Sequence, residues 1–127
     1  MGKVFILILS LSSLISCAQT GEYSGEYYHE TGGQKYHLTL NSDGTFLFSQ
    51  YWKGMGGLDS SGSEHGKGKW TFKNGIVQFF SQSELDIDQK HRLNFNNSAA
   101  KIEGESYLVF FQSEIFWLEN LRMAKRT

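Results

Sequence analysis

"KWTFKNGIVQF", residues 69–79, alternates apolar and polar side chains on both sides of Asn74-Gly75. Both central positions of a type I′ turn need positive φ, and Asn-Gly supplies this at little cost. The turn predicts a hairpin in which Lys73 pairs with Ile76, Phe72 with Val77 and Trp70 with Phe79. Trp70, Phe72, Val77 and Phe79 then share one face. Lys69, Thr71, Lys73 and Gln78 share the other, with Ile76 and Phe80 as exceptions. A slip of one residue would turn the whole apolar set toward water, so this register is firmly specified.

The same pattern recurs upstream. Tyr36, Leu38 and Leu40 alternate with Lys35, His37 and Thr39, the mark of a half-buried strand. Ser42-Asp43-Gly44 reads as a three-residue turn with Gly44 in the left-handed region. Leu40 then pairs with Phe46 and Leu38 with Phe48. Gly21 to His29 predicts another strand. His91–Asn96 and Ala99–Gly104 are expected to pair through Asn96-Asn97-Ser98. Tyr107–Phe111, nearly continuously apolar, predicts a central strand. Ile115–Leu118 and Leu121–Lys125 close the chain as strands, or Glu119–Arg126 as a short helix. No long segment keeps a helical period. About eight short strands separated by turn signals imply an all-β antiparallel meander, either an up-and-down barrel or a strongly curled sheet.

"YHLTLNSDGTF" (36–46) followed by "GKGKWTFKNGIVQFF" (66–80) resembles the small lipocalin-like, calycin-type domains of bacterial lipoproteins, most of which have no assigned role. The resemblance covers residues 22–83 and weakly the rest. It implies a barrel with an apolar pocket. A related copper-responsive envelope family carries a Cys-x-x-Cys pair. Cys17 is the one cysteine of this chain, so that metal or redox role does not carry over.

The amino terminus has the layout of an export signal. Lys3 is followed by an apolar run, Val4–Leu14, interrupted only by serine, and then by Leu14-Ile15-Ser16-Cys17. The run is shorter than the roughly 20 residues that a membrane-spanning helix needs. The last four residues resemble the bacterial lipobox, which implies cleavage before Cys17 and acylation (palmitate among the chains) of the cysteine. The expected organisation is a signal peptide at 1–16, a tether at 17–21 and a β domain at 22–127. Two or three acyl chains hold a protein on its membrane almost permanently, whereas one binds only marginally. Ala18 lacks the aspartate that marks inner-membrane retention in enterobacteria, so the expected location is the cell envelope, at the outer membrane and facing the periplasm.

The 12 Lys and Arg against 13 Asp and Glu leave the chain near neutrality, which argues against nucleic acid as a partner. Tyr36, Phe46, Phe48, Trp52, Trp70 and Phe79 form the expected inner face. They line an apolar ligand pocket or fill a closed core, since barrels of about eight strands are often just wide enough for their own side chains. The glycine-rich "KGMGGLDSSGSEHGKG", residues 53–68, reads as a surface connection or as a lid over the barrel mouth. It lacks the Lys-Ser/Thr ending of a phosphate-binding loop. Glu84, Asp86 and Asp88 read as a solvated strand face rather than a calcium loop. His29, His37, His65 and His91 lack the spacing of a zinc site, and no Gly-x-Ser-x-Gly elbow is present. No cofactor and no catalysis are expected. The reading is a membrane-anchored binder of a small apolar or amphipathic ligand. The alternative is an assembly component of an envelope complex.

Overall fold

In the computed structural model, residues 23–53, 61–104 and 106–126 are described. The expected signal peptide, the tether and Cys17 lie outside them, as does the 54–60 part of the expected lid. Among the described residues no helix is long and apolar enough to cross a membrane.

Among the described residues nine strands are present: β1 Gly25–Thr31, β2 Gln34–Leu40, β3 Thr45–Trp52, β4 Gly62–Lys73, β5 Ile76–Phe80, β6 His91–Leu93, β7 Ser98–Glu103, β8 Tyr107–Gln112 and β9 Arg122–Arg126. Eight of them, all but β6, pair antiparallel in a closed ring, from β1 through β5 to β7, β8, β9 and back to β1. Closure pairs the two outer strands of the sheet with each other, and β4 stays partly open only beyond the end of β5, where β6 pairs with it at His65 and Gly66. The protein is thus an all-β, up-and-down barrel, compatible with a lipocalin-like fold.

Both decisive hairpins fold in the expected register. Lys73 pairs with Ile76, Phe72 with Val77 and Trp70 with Phe79. Asn74 and Gly75 have φ of 54° and 80°, as a type I′ turn requires. Leu40 pairs with Phe46 and Leu38 with Phe48. Gly44 has φ of 91°, and its N–H donates to the Asn41 carbonyl at 3.0 Å. The Asp43 carboxylate accepts from the Thr45 N–H at 2.9 Å and from its hydroxyl at 2.6 Å, which locks the turn. Trp70, Val77 and Phe79 are buried. Phe72, on the same face, packs against Tyr23 with ring centroids 4.4 Å apart.

Other expectations are corrected. Residues 91–96 do not pair with 99–104. Instead β6 runs parallel to β4, and β7 lies between β5 and β8. The reason is Phe95, which is fully buried and must be carried across the end of the barrel to reach its seat. Ser81 and Asn96 clip this link shut. The Asn96 Oδ1 accepts from the Ser81 N–H at 2.9 Å, its Nδ2 donates to the Ser81 carbonyl at 2.8 Å, and the Ser81 hydroxyl accepts from the Phe95 N–H at 3.0 Å. The stretch holding Glu84 and Asp86 is a turn, not a strand face. Asp86 accepts from the Gln82 N–H at 2.6 Å, a local bond that competes with strand pairing. From Gly62 onward the glycine-rich stretch is strand β4, the longest among the described residues. Residues 115–118 lie in turns rather than a strand, and the chain ends in strand β9 rather than a helix. β8 alternates, with Leu108 and Phe110 buried and Tyr107 and Phe111 exposed.

The inner face of β1–β4 is read directly from the registers. Its rows are Gly25–Leu40–Phe46–Gly68, Tyr27–Leu38–Phe48–Gly66, His29–Tyr36–Gln50–Glu64 and Thr31–Gln34–Trp52–Gly62. The first two rows are apolar and mostly buried; the last two are polar and increasingly exposed. The barrel therefore has a dry end and a polar rim. Tyr23 and Arg126 lie at the dry end, where β1 begins and β9 finishes.

Candidate functional site

The dry end of the barrel is filled largely by aromatic rings. Phe95 stands at their centre, with its centroid 5.0 Å from Phe46, 5.1 Å from Phe48 and 5.9 Å from Phe79. Phe79 stacks on Phe110 at 5.2 Å. Offset and edge-on arrangements at such distances are the favourable ones. Of the expected inner-face residues, Tyr36, Phe46, Phe48, Trp70 and Phe79 belong to this core. Trp70 also donates its indole N–H to the Asn41 carbonyl at 2.9 Å. Space for the Phe95 ring exists because Gly66 has no side chain: a Cβ there would lie 2.6 Å from the ring.

Tyr36 closes that core toward the rim, and Trp52 lies outside it, at the rim itself. The Tyr36 hydroxyl donates to Gln34 Oε1 at 2.6 Å, and its ring lies 6.1 Å from Trp117, which covers Phe48 at the same distance. Gln50, between Tyr36 and Glu64 in the same row, is only 7% exposed. Its side chain has no hydrogen-bond partner among the described residues, and neither polar atom is both sealed from water and unsatisfied. The rim is thus wetted down to Gln50. Trp52 lies across Gly62, where a Cβ would come within 2.4 Å of the indole.

Trp52 also separates two grooves. One, of about 490 Å³, is lined by Glu30, Gly33, Lys35, Tyr51 and Lys53 beside it. The other, of about 380 Å³, is lined by Ser63, Glu64, His65, Gln89, Lys90 and Arg92 beside it. The second opens where β5 has ended and the edge of β4 is paired only briefly by β6. His65 is fixed there by two hydroxyls: Nδ1 lies 2.9 Å from Ser49 Oγ, and Nε2 3.2 Å from Ser63 Oγ. Among the described residues no carboxylate orients this imidazole, so a nucleophilic serine reading lacks its third member. Nor do three or more His, Cys, Asp or Glu side chains gather among the described residues in a way that could hold a metal ion.

Asp88 fixes the link beside that groove. It accepts from the His91 N–H at 2.6 Å and the Lys90 N–H at 2.9 Å, and pairs with Lys67 at 3.5 Å. The backbone bond from His91, followed by that residue's side chain, holds the carboxyl at about 2, below its ordinary value of 3.8. A carboxyl depressed by folding stabilises the fold above its ordinary value and ceases to do so as pH falls through the folded value. The Lys90 and His91 amide signals in NMR spectra should therefore hold their native positions above about pH 4 and move toward random-coil values as pH approaches 2. Asp88→Asn should lose that acid transition.

Sequence alone did not single out Gln50, Glu64, Lys90, Arg92 or Trp117, and it weighed His65 only as a zinc ligand. For Gln50 and Glu64 a signal existed, since both continue the two-residue alternation of inner-face positions on β3 and β4. Lys90, Arg92 and Trp117 come from links without periodicity, where only the folded chain shows the neighbours.

Fold and rim together define a closed antiparallel barrel with a filled core and a polar, tryptophan-bearing mouth. No protein-family model, no curated protein sequence and no solved structure matches the chain.

Proposed function

We propose that the protein is a lipid-anchored, periplasm-facing barrel of the bacterial envelope that binds a small apolar or amphipathic molecule at its rim without transforming it. The observation that carries the reading is Trp52, a half-buried indole set between two grooves at the one end of the barrel that its own side chains do not fill. An aromatic face beside convergent polar groups is the usual make-up of a ligand site. The anchor rests on Leu14-Ile15-Ser16-Cys17. Five residues lie between Cys17 and Tyr23, so the two are at most about 22 Å apart. With Tyr23 at the dry end, the anchor would hold that end to the bilayer and turn the rim away from it.

Cys17→Ala should leave the precursor uncleaved and unlabelled by radioactive palmitate. Trp52→Ala should abolish ligand-dependent changes in fluorescence while leaving the thermal midpoint within about 3 °C, as expected of a rim residue. Normal processing of the cysteine variant would remove the anchor. Unchanged binding in the tryptophan variant would remove the site.

The second reading, an assembly component, is favoured by the outer wall. Phe80 and Phe111 are 47% and 39% exposed and flank Ala99 in a groove of about 210 Å³. Exposed apolar surface of that kind marks docking sites.

A further inference from the structure

We infer that the groove between β4 and the 81–97 link is an anion-binding site, which holds a phosphate or carboxylate group on Lys90, Arg92 and Ser63, with the His65 imidazole behind the Ser63 hydroxyl, and the body of the same molecule on Trp52. The inference rests on the rim reading above and adds the chemistry of the ligand.

Four observations converge. First, the groove is large enough, about 380 Å³, for a small aromatic or sugar-sized body with a charged group. Second, its cations are uncommitted. Among the described residues neither Lys90 nor Arg92 takes part in an ion pair. The neighbouring carboxylate, Asp88, is already engaged by Lys67, by His91 and by two backbone amides. Third, polar groups converge from two sides: Ser63, backed by His65, from β4, and Lys90 and Arg92 from the link. Guanidinium and ammonium groups bind phosphate and carboxylate through charge-assisted hydrogen bonds, the stronger kind. Fourth, the field at His65 is positive. Burial first, then Lys90, then His91 hold its imidazole below the ordinary range. The His91 ring lies 6.2 Å away and the Tyr51 ring 5.7 Å.

Glu64 is the opposing charge in the groove. Its carboxylate faces the same space and repels an anion, so its removal should strengthen binding. An anion beside His65 favours the imidazolium, so binding should tighten as pH falls through the histidine range.

The test is NMR of the full chain in phosphatidylcholine nanodiscs, following the Trp52 indole and the His65 imidazole. The probes are phenyl phosphate, benzyl alcohol and inorganic phosphate. Phenyl phosphate should shift both signals and bind about ten-fold more tightly than benzyl alcohol. Binding should weaken about ten-fold in the exposed double variant Lys90→Ala/Arg92→Ala. It should strengthen in Glu64→Gln, and also from about pH 8 to about pH 6. Inorganic phosphate that competes as well as phenyl phosphate identifies a free anion as the ligand; weaker competition identifies an amphiphile. Equal binding of phenyl phosphate and benzyl alcohol at Trp52 would overturn the anion site while leaving the rim reading intact. Absence of binding by either would overturn both. A double variant that binds like the parent would overturn the assignment to Lys90 and Arg92.

Discussion

Phe95→Ala should destabilise the barrel by about 3–5 kcal/mol, the range for deleting a large buried aromatic. Phe95 is fully buried, and Phe46, Phe48 and Phe79 all lose a ring partner when it goes. No strand neighbour can close the gap, because Phe95 enters from a link rather than from the sheet. Urea denaturation should show a lower midpoint at unchanged slope. Gly66 supplies a second arm. Gly66→Ala alone drives a methyl to 2.6 Å from the Phe95 ring, whereas in the double variant that methyl enters the vacated space. The double variant should be more stable than the sum of the singles by about 1 kcal/mol. Strict additivity would mean that Phe95 does not rest on Gly66.

Gly68→Ala should be at least as damaging, at about 3 kcal/mol or more, the upper end for overpacking. An added Cβ would lie 1.9 Å from the Phe80 carbonyl oxygen and 2.9 Å from its carbon, with the Phe46 ring at 3.0 Å. The obstacle is backbone, so no rotamer change relieves it. Phe80 is also the residue at which β5 leaves β4, opposite Lys69, so relief would require parting the seam of the barrel. Gly75 is a useful contrast. Nothing lies within 4 Å of a Cβ there, but its φ is +80°, so Gly75→Ala should cost about 1–2 kcal/mol through backbone conformation alone. A Gly68→Ala protein as stable as Gly75→Ala would contradict the described approach of β4 to Phe80.

These residues also show how far the chain could be read from one dimension. The two hairpins were readable to the residue, because Asn74-Gly75 and Asp43-Gly44 fix turn geometry locally and the alternation of Trp70, Phe72, Val77 and Phe79 fixes the face. β4 was half missed. Gly62, Gly66 and Gly68 look like a loop by composition, yet they occupy alternate positions in phase with Trp70. Glycine in a strand often marks a close approach; here the approaching groups are Trp52, Phe95 and the Phe80 backbone. None is adjacent in sequence, so the purpose of the glycines appears only in the fold. Phe95 sits outside any periodic stretch, and the parallel pairing of β6 with β4 has no local signal at all. At the mouth, Tyr36 and Trp52 were anticipated by their parity. Lys90 and Arg92 gain meaning only because the 81–97 link is brought back to His65.

Native mass spectrometry of the intact protein, released gently from its own membrane, tests the central claim most directly. The expected result is a chain beginning at Cys17, carrying acyl groups, with one small-molecule adduct that Trp52→Ala loses. An unmodified chain that keeps residues 1–16, or a processed barrel that carries a polypeptide and no small molecule, would contradict it.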